Sequence, residues 1–582
     1  MSPKNFLLSF TAILSMSGSL FSVPAFSQSP SAAKVVPVFE RDSALLAAAN
    51  HYADSVLAVL NTEQRLAQLI MPMVYPKNDS GSLSEWDRMV EDAQFGGVLW
   101  QKGTPEDVFM MTNRMLQRAR VPMLTAMDGE WGLSMRFSGT IRWPRNIVLG
   151  AADDEVLAYR YGRATGREAK RVGIFVNFAP VMDVNSNPRN PVIGTRAYGS
   201  DVDLVTRLGI AYARGLEREG VLSTAKHFPG HGDTDTDSHK TLPVISKSRS
   251  ELEEIELAPF REFVKAGLGG MMVAHLSVPA LGTGSKRASS ATKEVVTDLL
   301  KDELGFSGLI FTDALQMKGI VNGVGSAKVA VEVFKAGSDM LLAPIDPYET
   351  LRELKAALLK GEISREEVDE RVHKVLKYKY LLGTATPKYL KGANFNRDLN
   401  NQEGEALMRE IYEKGMTLVK NEGDLLPLGN RMISFVRYGS ELAGAITGQM
   451  RDGIGISNIG SGASSAEQRR TFARYGKGQT VVVAVTARSV KPDPEVFKAL
   501  AKRTNLVLVF MTDPYTALKF GDALSEADAV AFGYDASVSA QRVMGAALVG
   551  KIPFAGRLPI ALAPYFVFGT QVTTGQEVET AR

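Results

Sequence analysis

From Gln68 to Ala343 the chain alternates short, almost uniformly apolar runs with longer stretches whose apolar residues recur at helical spacing. The runs fall at Gln68 to Val74, Gly96 to Gln101, Pro122 to Asp128, Ile174 to Asp183, Val221 to His227, Gly270 to His275, Gly308 to Asp313 and Ser338 to Ala343, eight in all. Each is too short for a helix and lacks the alternation of a half-exposed strand, so each predicts a strand buried on both faces. Between them, Thr104 with Pro105 forms a cap and first-turn pair ahead of Val108, Met111 and Met115 on one face, and Thr292 is expected to cap a helix that turns Val295, Val296, Leu299 and Leu300 inward. Gly220, Gly267, Gly305, Gly337 and Gly361 stand where such helices must end in a left-handed residue.

Eight strand–helix repeats over about 320 residues are what a (β/α)8 barrel needs. A doubly wound sheet is the alternative, and the polar residues separate the two. Asp128, Asp183, Lys226 with His227, His275 and Asp313 each close an apolar run. In a barrel these carboxyl ends converge on one face, where such enzymes keep their active sites. Beyond about Glu405, Met432 to Val436, Thr480 to Thr486, Leu506 to Met511 and Ala529 to Gly533 repeat the texture as buried parallel strands. The predicted fold is α/β: a (β/α)8 TIM-like barrel over residues 40–382, a linker over 383–404, and a smaller α/β sandwich domain over 405–570. Gly453 to Ser465 reads as a Gly/Ser-rich loop; no Lys-Ser/Thr follows its glycines at the spacing of a phosphate-binding loop.

Composition limits what this fold can do. The 582 residues, 45% of them hydrophobic, suffice for more than one core. Lys plus Arg (67) nearly balance Asp plus Glu (64), which gives no basic face for nucleic acid. The absence of cysteine excludes disulfides, thiolate metal sites and cysteine nucleophiles. At the N-terminus, Lys4, the mostly apolar run Phe6 to Phe21 and Ala25-Phe26-Ser27 fit a signal peptide over residues 1–27. That run is shorter than the roughly 20 residues a membrane span requires. A soluble mature protein with no stable membrane insertion is expected, exported to the periplasm or the extracellular space.

Candidate chemistry concentrates in one segment, Lys226-His227-Phe228-Pro229-Gly230-His231-Gly232-Asp233-Thr234-Asp235-Thr236-Asp237-Ser238-His239, which holds three of the six histidines. A surface turn needs Gly and Pro for its backbone angles, but not imidazoles that titrate near neutral pH. Zinc ligation by His227, His231, His239 and the aspartates is chemically conceivable. Their spacing matches no metal motif, so no metal and no cofactor is expected.

The same segment resembles the signature of bacterial β-N-acetylglucosaminidases of glycoside hydrolase family 3: Lys-His-Phe-Pro-Gly-His-Gly, four variable residues, then Asp-Ser-His. Asp128-Gly129-Glu130-Trp131-Gly132 with Arg136, Asn177 to Val184, Ile193-Gly194-Thr195-Arg196, and Gly305 to Asp313 resemble further motifs of the family in the same order. The resemblance implies a retaining glycosidase in which Asp313 is the nucleophile and His239, oriented by Asp237, is the acid/base. It further implies that Asp128, Arg136, Arg196, Lys226 and His227 bind the sugar and that His275 and Met317 line the pocket. His231 is expected either to share in this or only to brace the loop. N-acetylglucosaminides, including muropeptides and chitin oligosaccharides, are the implied substrates, with hydrolysis and phosphorolysis both open. Family 3 β-glucosidases and β-xylosidases, which take the acid from the second domain, are the nearest alternative, and a non-catalytic cell-wall binder would lack Asp313, Asp237 or His239. The role of the second domain stays open.

Overall fold

Apolar runs without alternation do build strands buried on both faces. Strands β1 (Ile70–Met71), β2 (Met73–Val74), β3 (Gly97–Trp100), β4 (Leu124–Met127), β5 (Val176–Asn177), β6 (Leu222–Phe228), β7 (Gly270–Val273), β8 (Leu309–Thr312) and β9 (Leu341–Leu342) each lie within one of the predicted runs, except that β6 continues one residue past its run to Phe228. In this computed structural model β2 to β8 form one seven-stranded parallel sheet in sequence order. The ring closes where Phe311 of β8 bridges Met340 and β9 pairs with β1 in parallel, Ile70 opposite Leu341. The structure describes residues 34–236, 242–284, 286–317, 320, 326–385, 389–429, 431–439, 444–450 and 454–574. The leader-like segment 1–27 and Asp237, Ser238 and His239 lie outside the described residues.

Local chemistry sets the helix ends. The Thr104 hydroxyl accepts from the Asp107 amide at 3.1 Å ahead of the helix Pro105–Arg118, whose Val108, Met111 and Met115 are fully buried. Thr292 behaves otherwise than its sequence suggests. Its hydroxyl donates to the Ala288 carbonyl at 2.8 Å within a preceding 3-10 turn, and Glu294–Glu303 is a π-helix that follows Lys293. Val295, Val296, Leu299 and Leu300 nevertheless face inward, because burial of that face governs the helix more than its first hydrogen bond does.

The second domain holds a six-stranded sheet, β10 (Thr417–Asn421), β11 (Ile433–Gly439), β12 (Gly455–Gly460), β13 (Thr480–Val485), β14 (Asn505–Phe510) and β15 (Ala529–Phe532), in the order β10-β15-β14-β13-β11-β12. All neighbours run parallel except β10, which is antiparallel to β15. Gly455–Gly460 was expected within a loop; it is the edge strand, parallel to β11 from Ser434–Gly455 to Gly439–Gly460. Its residues are mostly exposed, so packing demands no apolar side chains and leaves its strand character invisible to an apolar pattern.

The final described segment ties both domains together. Gly556 N donates to Met416 O at 2.9 Å and Val572 N to Leu418 O at 2.7 Å on the second domain, while Arg557 N donates to Ala151 O at 2.8 Å and Pro559 O accepts from Ser200 N at 3.0 Å on the barrel. Gly199 passes so close beneath it that a Cβ there would lie 2.2 Å from the Pro559 carbonyl oxygen. Among the described residues no helix is long and apolar enough to cross a membrane.

Candidate active site

The barrel strands deliver their polar end residues to one mouth, and there the charges interlock. Lys226, which is 2% exposed, reaches Asp128 Oδ1 at 2.9 Å and Glu130 Oε1 at 2.7 Å. Arg136 meets the other Asp128 oxygen at 2.6 Å. Arg196 grips Glu130 with two parallel bonds, Nε to Oε2 at 2.9 Å and Nη2 to Oε1 at 2.7 Å, and also lies 3.1 Å from His227 Nε2. Two bonds from one guanidinium fix orientation as well as charge. The turn carrying Asp128 and Glu130 is itself held by Asn177, whose side-chain oxygen accepts from Gly129 N at 2.9 Å and whose amide donates to Gly129 O at 3.2 Å.

His227 is oriented from behind. Its Nδ1 lies 2.6 Å from Asp183 Oδ2, and Asp183 Oδ1 accepts the backbone amides of His227 at 3.2 Å and His231 at 2.7 Å. A carboxylate at Nδ1 keeps the proton there and leaves Nε2 as the acceptor facing Arg196. His231 braces the loop: its Nδ1 pairs with the Thr234 hydroxyl at 2.9 Å and its carbonyl accepts from Asn190 at 2.8 Å. The loop backbone sits directly on the next one, because Gly232 has no Cβ; an added one would lie 1.7 Å from the Val184 carbonyl oxygen.

Asp313 follows β8 and is partly exposed at the mouth. Its Oδ1 accepts the Ala314 amide at 2.7 Å; Oδ2 has no hydrogen-bond partner among the described residues. His275 packs beside it, fully buried, with Nδ1 2.7 Å from the Ser290 hydroxyl and Nε2 3.3 Å from Ala314 O. Met317 is buried in the turn that follows, its amide 3.0 Å from Ala314 O. Asp128, Arg136, Arg196, Lys226 and His227 thus form one network, while His275 and Met317 stand around Asp313. The site also contains Glu130 and Asp183, to which sequence reasoning gave no role. Their signals were position, Glu130 two residues past Asp128 and Asp183 at the end of an apolar run, and membership of the family-like motifs Asp128 to Gly132 and Asn177 to Val184.

Electrostatics keep these carboxylates ionised. Burial pushes Asp128 upward, but Lys226 and Arg136 outweigh it and hold the group at about 2. Burial likewise opposes Glu130, and Arg196 and Lys226 hold it well below the ordinary value. For Asp313 burial again raises, while His275, His227, the Ala314 amide and Lys226 together lower it below the usual carboxylate value. Burial lowers His275 and brings His231 down to about 4, so both rings are neutral at physiological pH. Among the described residues no three His, Asp or Glu side chains converge as metal ligands. The arrangement sets a buried network of paired charges at the same mouth as an ionised carboxylate with one oxygen unengaged among the described residues.

Residues 61–378 match the family model described as the glycosyl hydrolase family 3 N terminal domain. Beta-hexosaminidase A of Pseudoalteromonas piscicida is 34% identical over 337 residues, covering 53% of this chain and 55% of that protein. The chain therefore matches about half the length of that relative. A protein of Cellulomonas fimi named beta-N-acetylglucosaminidase/beta-glucosidase is 29% identical over 382 residues, covering 64% of this chain and 67% of its own length. Among solved structures, a glycoside hydrolase family 3 beta-N-acetylglucosaminidase from Paenibacillus sp. str. FPU-7 superposes with a TM-score of 0.76 at 30% identity, over 88% of this chain and 100% of that one. With the barrel, the interlocked charges at its mouth and a model match over more than half its length, the chain belongs to glycosyl hydrolase family 3.

Proposed function

We propose that the protein is an exported, retaining β-N-acetylglucosaminidase that removes N-acetylglucosamine from the non-reducing end of peptidoglycan fragments or chitin oligosaccharides. The observation that carries the reading is Asp313: an ionised carboxylate just past β8, with Oδ2 unengaged among the described residues, at the same mouth as the cation-flanked Asp128. A retaining enzyme needs such a group to attack the anomeric carbon. Asp313 forms the C1–O bond as the glycosidic C1–O bond breaks, and the departing oxygen takes a proton from His239, which Asp237 orients. His239 then removes a proton from water, the water oxygen attacks C1, and Asp313 leaves with its electron pair. An imidazole suits both halves because its proton exchanges near neutral pH. Asp128 accepts hydrogen bonds from sugar hydroxyls, while Arg136, Arg196, Lys226 and His227 complete the contacts, and His275 and Met317 line the pocket.

The relatives' names support the acetamido sugar, the Lys226 to His239 motif supports the histidine acid, and the leader-like residues 1–27 support export. The test compares the purified protein on aryl β-N-acetylglucosaminide and aryl β-glucoside, alongside Asp313→Asn and His239→Ala. Release from the acetamido sugar that both substitutions reduce strongly is expected. Preference for the glucoside, or indifference to His239→Ala, would overturn the reading and move the acid to the second domain.

A further inference from the structure

Asn185 opens the loop after β5, is 1% exposed, and makes three bonds with different parts of the protein. Its backbone amide donates to Gly199 O at 3.0 Å, its side-chain oxygen accepts Gly194 N at 3.0 Å, and its side-chain amide donates to the Tyr515 hydroxyl at 2.7 Å. Tyr515 belongs to the second domain. It sits in the 3-10 segment Pro514–Phe520 just past β14, where its amide donates to Asp513 Oδ1 at 3.0 Å and Asp513 is paired with Arg488 at 3.3 Å. A short polar column, Arg488 to Asp513 to Tyr515 to Asn185, therefore runs from the second domain into the barrel mouth.

The barrel end of that column is the turn Gly194–Arg196. Gly194 takes its amide bond from Asn185, the Thr195 hydroxyl accepts from Arg145 at 3.0 Å, and the next side chain is Arg196, which holds Glu130 and faces His227. Between Asn185 and this turn, the Asn190 oxygen accepts from Val192 N and Ile193 N, each at 2.8 Å, so the intervening loop has little freedom of its own. A guanidinium that must meet a planar carboxylate with two bonds and an imidazole with a third tolerates little displacement of its backbone.

We infer that Tyr515 is a positioning residue for the glycosidic reaction: its hydroxyl fixes, through Asn185, the turn from which Arg196 reaches the sugar pocket. The inference rests on the reading of the barrel mouth as that pocket. It assigns the second domain a defined part in sugar binding without giving it a group that touches the reacting atoms. Tyr515→Phe removes the hydroxyl and keeps the ring.

The experiment uses whichever 4-nitrophenyl glycoside the full-length enzyme hydrolyses and measures kcat and KM for wild type, Tyr515→Phe, Arg196→Lys and the double variant, with Tm for each. Tyr515→Phe should raise KM on the order of tenfold while kcat changes much less. The penalty should shrink to under about twofold when Arg196→Lys is already present, because the two lesions then act on one interaction. If Tyr515→Phe fails to fold, Asn185→Ala removes the other half of the bond and should show the same split and the same coupling. A raised KM in Arg196→Lys with an unchanged penalty from Tyr515→Phe, or no change of KM in Tyr515→Phe, overturns the inference and leaves the pocket reading intact. An unchanged KM in Arg196→Lys sinks the pocket reading and the inference with it.

Discussion

The two domains share a device, a core of parallel strands buried on both faces, and differ at the carboxyl ends of those strands. In the barrel those ends carry Asp128, Asp183, Lys226, His227, His275 and Asp313, among which Lys226 pairs with Asp128 and His227 with Asp183 beside the partly exposed Asp313. In the second domain the corresponding polar groups are spent on ties. Asp535, after β15, accepts from the Tyr412 hydroxyl at 2.8 Å, Tyr534 donates to the Thr417 hydroxyl at 2.8 Å, and Tyr515 is engaged with Asn185. Strand ends are therefore only an opportunity. Chemistry follows where they hold charge in excess of what the fold needs, and support follows where every group is matched.

The sharpest way to break this contrast is to neutralise one carboxylate on each side. Asp313→Asn should lower kcat on the order of 10⁴-fold. Asp513→Asn should lower it by less than about tenfold, through Tyr515 alone. Nitrophenol release under saturating substrate reads both, and equal losses would end the division of labour. The next effect concerns stability. Glu130→Ala leaves Lys226 and Arg196 buried without their shared carboxylate and should cost about 3–5 kcal/mol in denaturant unfolding. Glu495→Gln, which loses an exposed partner of Lys498 at 3.2 Å, should cost under about 1 kcal/mol.

Core truncation then separates scaffold from site. Leu508→Ala in β14 should cost about 2–5 kcal/mol and leave kcat per folded molecule unchanged. Ile310→Ala in β8, the strand that ends at Asp313, should cost a similar amount and lower kcat as well. A pH dependence whose source lies in the barrel sharpens the contrast further. Burial pushes Glu168, bonded to the Trp143 indole at 3.1 Å, from the usual 4.5 up to about 8. The folded protein thus keeps a proton that the unfolded chain has lost, and stability falls as pH rises from about 4.5 to about 8, by at most about 1.4 kcal/mol per pH unit. Glu168→Gln abolishes that slope, so the Tm difference between variant and wild type should move in the variant's favour across the window.

The barrel was legible because its strands are buried on both faces and end in residues that an apolar run would not otherwise contain. Asp128, Lys226 and Asp313 stand out on that ground alone. Glu130 does not: its partners Arg196 and Lys226 come from other strands, and nothing local marks a carboxylate in a turn as buried. Asp183 was visible as a strand end, but its bond to His227 exists only once β5 and β6 lie side by side. In the second domain β10 and β12 escaped notice for opposite reasons. Thr417–Asn421 ends in half-buried Lys420 and Asn421, and Gly455–Gly460 is glycine-rich and mostly exposed, so neither shows the pattern that burial imposes. Tyr515 carried no signal at all, since its partner lies in the other domain.

The segment around Pro559 has a consequence for biosynthesis. On the ribosome the barrel strands emerge first, yet the Ala151 carbonyl and the Ser200 amide wait for Arg557 and Pro559, which are made several hundred residues later. Until then the backbone around Gly199, next to the loop that carries Arg196, lacks the segment that covers it. The nascent barrel should consequently collapse with the backbone around Arg196 unsettled, and that part of the mouth should take its final form in one late step, when the tail docks.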